Sequence, residues 1–425
     1  MSYTLEDKSR MWRILGGLLA ILLYLSPKAV GISFPLAMHT LTCVGLVCML
    51  GIGWFGGLIT ITLRDIIICL CLLSPFVCVG IIQFLVIHEI AGLKYIALVA
   101  LNLLAALTLT KYFSWELYSK AFRWSIPFNI ILISAVLLLG SISFDPTIHT
   151  IYDPGLFMDW KNFHFTLAPS SLALEKVRTG GIFGHANIFG MVATIGMLGL
   201  YIGKERTSLM VRISWWVLFI FSFVITESRS SLLMLLVFMV ANNILQSWNS
   251  IKKVVKNIVV VGGVFCILLA VAFMRFDEQT GDITSGRAGI MDIVSAEVLD
   301  GLPTTQAFGV GLGLGISYLE QQYGFMIPVD NSYFRLLIDA GLLGTLMFLF
   351  VVGFCFWRAR KNILTPQYTY GAFVLGMVAH SLFESDFMID FKSFIWLPFL
   401  LYATQDSVDD KNYKNHESSR DLDHI

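Results

Sequence analysis

Of the chain's 425 residues, 56% are hydrophobic and only 14% charged, and its 29 basic and 29 acidic side chains balance to a net charge of zero. Soluble domains carry roughly a quarter charged residues, so a soluble globular protein is excluded. The zero balance also removes the basic footprint that a nucleic-acid partner requires.

The charges are confined to short runs between apolar stretches about as long as ~30 Å of hydrocarbon demands. Those stretches are continuous, without the alternation of barrel strands, so they are expected to cross as helices with every backbone group satisfied internally. In chain order they fall at 11–26, 34–53, 66–87, 92–110, 125–143, 186–203, 211–226, 231–247, 257–274, 333–357, 367–384 and 392–405. The expected fold class is therefore an all-α polytopic membrane protein of about twelve transmembrane helices. The first, seventh and last runs have the shortest apolar cores. The first lacks a small-residue cleavage site and is followed by more spans, so it reads as a span and not as a signal peptide.

Orientation follows from the basic residues. With the N-terminus in the cytoplasm, the inner connections carry Arg10 and Arg13, Arg64, Lys111 and Lys120, Lys204 and Arg206, Lys252 and Lys253, and Arg358 and Arg360. That is the bias of the positive-inside rule. Both termini are then cytoplasmic. Residues 1–405 form a single transmembrane domain, and 406–425 a polar, disordered cytoplasmic tail. Two outer loops are long, about 144–185 and about 275–332, the larger preceding the tenth span. The seven cysteines all lie in or beside apolar runs with no CxxC pair, which predicts neither zinc nor a structural disulfide. His149, His164 and His185 lack metal-ligand spacing, so no metal or cofactor is expected.

The inner loops are short and contain no P-loop. The GVGLGLG run at 309–315 has no strand before it and reads as a tight turn in an outer loop. An enzyme of this design would work at the outer face, where its energy must arrive in the substrate. An activated, lipid-linked donor meets that requirement.

Ionisable groups at the ends of membrane helices are costly and point to function. Four clusters stand out. TESRSSLL, 226–233, sets Glu227 and Arg229 in a break between two spans. TSGRAGI, 284–290, carries Arg287 ahead of an amphipathic segment. PVDNSYFRLLIDAGLLG, 328–344, places Asp330 and Asn331 where a helix cap belongs, with Arg335 and Asp339 spaced to neutralise each other. RTGGIFGHANIFG, 178–190, brings Arg178, His185 and Asn187 to the start of the sixth span, and HSLFESDF, 380–387, adds Glu384 and Asp386. Capping, snorkelling and packing each explain one cluster by itself. Together they fall on one side of the membrane. Arginine forks suit pyrophosphate oxygens, and a nearby carboxylate or imidazole suits activation of an acceptor hydroxyl.

From about residue 170 onward, these motifs in this order resemble the O-antigen ligase/polymerase superfamily, bacterial inner-membrane proteins that join lipid-linked glycans. The resemblance rests on GIFGHANIFG, TESRSSLL, SGRAGI and DNSYFRLLIDAGLLG. It implies a metal-free membrane glycosyltransferase acting on an undecaprenyl-pyrophosphate-linked glycan donor and acceptor. By the same resemblance Arg229 and Arg287 would hold the pyrophosphate. Asp330 would be the first candidate base and Glu227 the second, with Arg178, His185, Asn187, Asn331 and Arg335 lining the substrate. A chain-length regulator is a further candidate partner, beside membrane lipids. The ligases typically carry His where this chain has Asp330, which favours a polymerase of O-antigen, capsule or exopolysaccharide over a lipid A-core ligase. A lipid-linked oligosaccharide flippase is the alternative from another class. It would be expected to show internal repeats and broken helices with midplane charges; no repeat is legible.

Overall fold

The computed structural model describes residues 5–24, 35–139, 141–150, 153–160, 163–169, 177–179, 183, 186–202, 208–226, 228–246, 293–298, 301–324, 329, 331–361, 368–384 and 393–404. The helices run α1 (Leu5–Tyr24), α2 (Pro35–Phe55), α3 (Leu63–Ile87), α4 (Ala91–Tyr112), α5 (Trp115–Leu139), α6 (Ala186–Ile202), α7 (Leu209–Thr226) and α8 (Arg229–Gln246). Two short helices follow, α9 (Pro303–Phe308) and α10 (Gly315–Tyr323), then α11 (Ser332–Lys361), α12 (Tyr368–His380) and α13 (Ser393–Thr404). Among the described residues, four helices are long and apolar enough to cross a membrane: α3, α4, α7 and the Ser332–Trp357 stretch of α11. The protein is thus a helical membrane protein. Ile67, Leu70, Leu85, Val217, Ile220 and Val224 stand exposed on α3 and α7, as lipid-facing side chains do. The predicted ninth span, 257–274, and the tail at 406–425 lie outside the described residues.

Local sequence explains where α3 starts. Thr62 and Asp65 form a reciprocal capping box. Asp65, buried, also takes Lys111 from the last turn of α4 at 2.7 Å, so one carboxylate fixes the start of α3 against the end of α4. Nearby, Trp115 at the start of α5 meets Phe399 edge-on at 4.3 Å and Tyr370 at 5.2 Å. The Tyr402 hydroxyl donates to the Phe113 carbonyl. These contacts gather the ends of α4 and α13 with the starts of α3, α5 and α12. The opposite end of the bundle therefore collects the ends of α3, α7 and α12 and the starts of α4, α6, α8 and α11. Along its length, α8 lies on α12, α5 on α6, and α4 on both α2 and α3.

Between α5 and α6 the chain forms a four-stranded antiparallel meander: β1 (Ser141–Thr150), β2 (Asp153–Trp160), β3 (Phe163–Pro169) and β4 (Val177–Thr179). Its register pairs Phe144 with Leu156, Trp160 with Phe163 and Ala168 with Arg178, with one irregularity between Asp145 and His149. The bundle is helical as expected; the sheet, in what the sequence reads as the outer loop 144–185, is an addition to the all-α expectation.

The other predicted outer loop folds back onto α11. Val294, Val298, Leu319, Val329 and Ile338 make a small core of their own. α11 is broken at Gly341, whose φ of 66° and ψ of −169° are not helical. The break withdraws the carbonyls of Ile338 and Asp339 from the helix ladder. The GVGLGLG segment supplies replacements: Val310 N–H donates to the Ile338 carbonyl at 2.8 Å and Gly311 N–H to the Asp339 carbonyl at 3.2 Å. The glycine-rich run is a turn, as the sequence suggests, but a buried one that plugs a broken helix.

Gln83 closes this junction. It is fully buried in the last turns of α3. Its Nε2 donates to the carbonyls of Phe308 at 2.5 Å and Asp339 at 2.8 Å, and its Oε1 accepts from Leu312 N–H at 3.0 Å. Gln83→Leu takes this partner from the Phe308 carbonyl and the Leu312 N–H, at about 1–3 kcal/mol each, while the Asp339 carbonyl keeps its bond from Gly311 N–H. The expected outcome is a fall of a few degrees (~3 kcal/mol at about one degree each for a chain of this length) in the thermal transition of the detergent-solubilised protein. A transition unchanged from the parent would show that the junction is held by other contacts.

Candidate functional site

The start of α6 is the hub at the end of the bundle where α3, α7 and α12 finish. Asn187, buried in its first turn, donates through Nδ2 to Oε1 of Glu384, which is itself only 3% exposed. One turn further on, Gly190 lets α8 approach: a Cβ there would stand 2.6 Å from Ser228 Cβ and 2.7 Å from the Ser231 hydroxyl. Only a glycine fits that gap. Thr194 continues the seam by donating to the Ser231 carbonyl at 3.3 Å.

The α8 entry explains the pattern in SRSS. Ser228, Ser230 and Ser231 are buried, with the Ser228 and Ser231 hydroxyls 2.7 Å apart. Arg229, between them, is exposed. A helix start thus turns its small hydroxyls into the bundle and its one guanidinium outward.

The start of α11 is stapled into the turn after α12. Ser332 N–H donates to the carbonyls of Ser381 at 2.9 Å and Glu384 at 3.1 Å, and the Ser332 hydroxyl donates to the Glu384 carbonyl as well. Asn331 caps α11 by accepting from Tyr333 N–H at 2.9 Å and Phe334 N–H at 3.1 Å, while its Nδ2 donates to the Leu382 carbonyl at 2.6 Å. Asn331→Ala removes this cap and is expected to cost about 1 kcal/mol, read as a small shift in the thermal transition. Tyr333 O–H donates to the Val378 carbonyl at 3.0 Å.

One turn into α11, Arg335 Nε donates to Asp339 Oδ2 at 2.9 Å, and Asp339 is fully buried. Its other oxygen accepts Gly315 N–H at 2.6 Å. The spacing of four that suggested mutual neutralisation is used that way, with the carboxylate also fixing the start of α10. On the loop above, Tyr318 and Tyr323 donate to the two oxygens of Glu297, at 3.1 Å and 2.8 Å. Burial first and then the Glu297 bond push the Tyr318 phenol up; at Tyr323 the Glu297 bond leads.

The sequence-predicted residues divide as follows. Asn187 and Asn331 lie in the hub, with Arg335 one turn from Asn331 and Arg229 at the α8 entry. Arg178 sits on the edge strand β4, opposite Ala168. Asp330, Glu227, Arg287 and His185 lie outside the described residues, as does Asp386. Sequence reasoning placed Glu384 beside the site but gave it no partner, and it passed over Gln83. The signal for Gln83 was available: it is the one amide in the apolar run 66–87. Compared with known proteins, the chain matches no family model and no curated protein, so the family resemblance stands on the motifs alone.

Proposed function

We propose that the chain is a polysaccharide polymerase of the bacterial cytoplasmic membrane, with about twelve spans and both ends in the cytoplasm. It transfers a growing glycan from undecaprenyl pyrophosphate to a lipid-linked repeat unit at the outer face. What supports this reading is that described residues of four separate motifs meet at one end of the bundle: Asn187, Gly190, Ser228 and Ser231, Asn331 and Ser332, and Ser381 and Glu384. Fixed polar groups at helix ends suit a charged, lipid-linked substrate better than a membrane-facing surface does.

In this mechanism the acceptor hydroxyl attacks the anomeric carbon and its bond to the pyrophosphate breaks. The leaving pyrophosphate carries the electron pair, so it needs charge stabilisation and no proton donor. Arg229 and Arg287 supply that charge. Asp330, which precedes the Asn331 cap in sequence, meets the acceptor, and Glu227 is the second candidate carboxylate. No metal or other cofactor enters. The genetic test separates the readings. Loss of the protein should leave a single repeat unit on the final carrier. Accumulation of full-length lipid-linked chain would instead identify a ligase, and accumulation of repeat units on the cytoplasmic side a flippase.

A further inference from the structure

We infer that the seam where α5 meets α7, at the cytoplasmic end of the bundle, binds an anionic phospholipid of the inner leaflet. Of the reading above, only the orientation of the chain is needed. Trp124 of α5 meets Trp215 of α7 edge-on, with ring centroids 5.1 Å apart, and the Arg123 guanidinium lies over the Trp215 ring at 5.3 Å. These contacts set residues 123–124 of α5 level with residue 215 of α7. Lys120 and Arg212, four and three residues before the two tryptophans, each lie one turn nearer the start of their helix. Both are exposed. The end of the bundle that gathers Lys111, Lys120 and Arg212 is the cytoplasmic one by the positive-inside rule.

Three features of this seam match a phospholipid. Its back is closed, because α6 packs directly on the α5 backbone: a Cβ at Gly196 would stand 2.6 Å from Arg123 N. Its front is open and apolar. Trp124, Phe128 and Ile131 along α5, and Val217, Ile220 and Val224 along α7, are all more than half exposed. Its end is cationic, and tryptophan is the residue that favours the boundary between hydrocarbon and headgroups. Apolar rows that end at cations between two helices complement a molecule with hydrocarbon tails and a negative head. On the cytoplasmic side, basic positions of this kind are headgroup sites.

Arg123 has the positioning part. It is buried, and its guanidinium against Trp215 holds that ring edge-on to Trp124. Lys120 and Arg212 make the headgroup contact. A lysine carries three N–H donors and an arginine five, so each can give one to a phosphate oxygen beside the contacts it makes within the protein. A zwitterionic head is held less well, because its own ammonium offsets its phosphate.

The test uses the full-length protein in neutral detergent, to which phosphatidylglycerol, phosphatidylcholine or soluble glycerol phosphate is added. Bound lipid is counted by native mass spectrometry, beside the thermal transition. The parent should hold phosphatidylglycerol about tenfold or more tighter than phosphatidylcholine, with a rise in the transition. Lys120→Gln combined with Arg212→Gln should weaken that binding about thirtyfold, from about 1 kcal/mol for each cation at the surface and tenfold per 1.4 kcal/mol. Each single variant should weaken it about fivefold by the same conversion, and Lys120→Arg combined with Arg212→Lys should keep it. Lys94→Gln is the control: it removes an exposed cation in the first turn of α4, at the opposite end, and should leave the affinity unchanged. Phosphatidylcholine held as tightly as phosphatidylglycerol, or Lys94→Gln as damaging as the double variant, would overturn the site. A rise with glycerol phosphate that the double variant loses would mean a site for a free anion, and would overturn it too. None of these results touches the polymerase reading, because neither Lys120 nor Arg212 takes part in transfer.

Discussion

Arg229→Ala and Arg287→Ala are each expected to abolish chain extension while the protein stays inserted and abundant. The expected loss in turnover is on the order of 10²–10³ per arginine, the effect of removing one charge-stabilising donor from a developing anion. Arg229 is the exposed first residue of α8, beside the buried Ser228, Ser230 and Ser231. Membrane abundance and the thermal transition, measured alongside, separate lost chemistry from lost fold. Arg229→Lys refines the result: it keeps the charge but not the planar fork that grips two phosphate oxygens, and should fall between parent and alanine variant. Chain-length ladders of normal length in both alanine variants, read on gels of the extracted glycan, would remove the pyrophosphate-holding role.

Gly341→Ala should have the largest effect on the fold of any single methyl group in α11. At φ 66°, ψ −169° the backbone of Gly341 is in a region that only glycine occupies readily. A Cβ would also stand 2.5 Å from the carbonyl carbon of Ala307 and from the backbone nitrogens of Phe308 and Gly309. Neither neighbour is a side chain that can swing away. Gly309, at φ 76°, faces the same junction from the other chain segment, with its own Cβ position 2.5 Å from Ala340 N. Strain of about 1–3 kcal/mol from the backbone alone, with the clash in addition, should undock the 309–315 plug and let α11 shift at the Arg335–Asp339 turn. Gly353→Ala is the internal control. It lies in the same helix with nothing within 4 Å of the new methyl group, and alanine in a helix interior gains about 0.5–1 kcal/mol over glycine. Thermal transitions of the two purified variants should therefore move in opposite directions. Equal behaviour would mean that the break in α11 is incidental.

Much of this architecture is legible in the residues. The apolar runs locate the described long helices to within several residues, because lipid allows no other backbone solution for a continuous apolar segment. The T-L-R-D start of α3 announces its capping box, and the four-residue spacing of Arg335 and Asp339 announces their pairing. Three features were not legible. The meander at 141–179 is short, with Asp-Pro steps and aromatic residues spread among polar ones, so its pairing depends on register and not on any strong local period. The break at Gly341 is hidden inside D-A-G-L-L-G, where a glycine in an apolar helix ordinarily needs no departure from helical geometry; only the facing Gly309 explains it. The bond between Asn187 and Glu384 joins positions 197 apart, and nothing in a single sequence reports such a meeting. The site was readable as a set of motifs, and its assembly around α6 was not.

The most direct measurement of polymerisation uses the purified protein in liposomes, given only the undecaprenyl-pyrophosphate-linked repeat unit and followed by mass spectrometry. Products should grow by whole repeat units, with one undecaprenyl pyrophosphate released for each unit added and no requirement for metal or nucleotide. Substrate that stays at one repeat unit, or that is extended only when lipid A-core is supplied as acceptor, would contradict a polymerase.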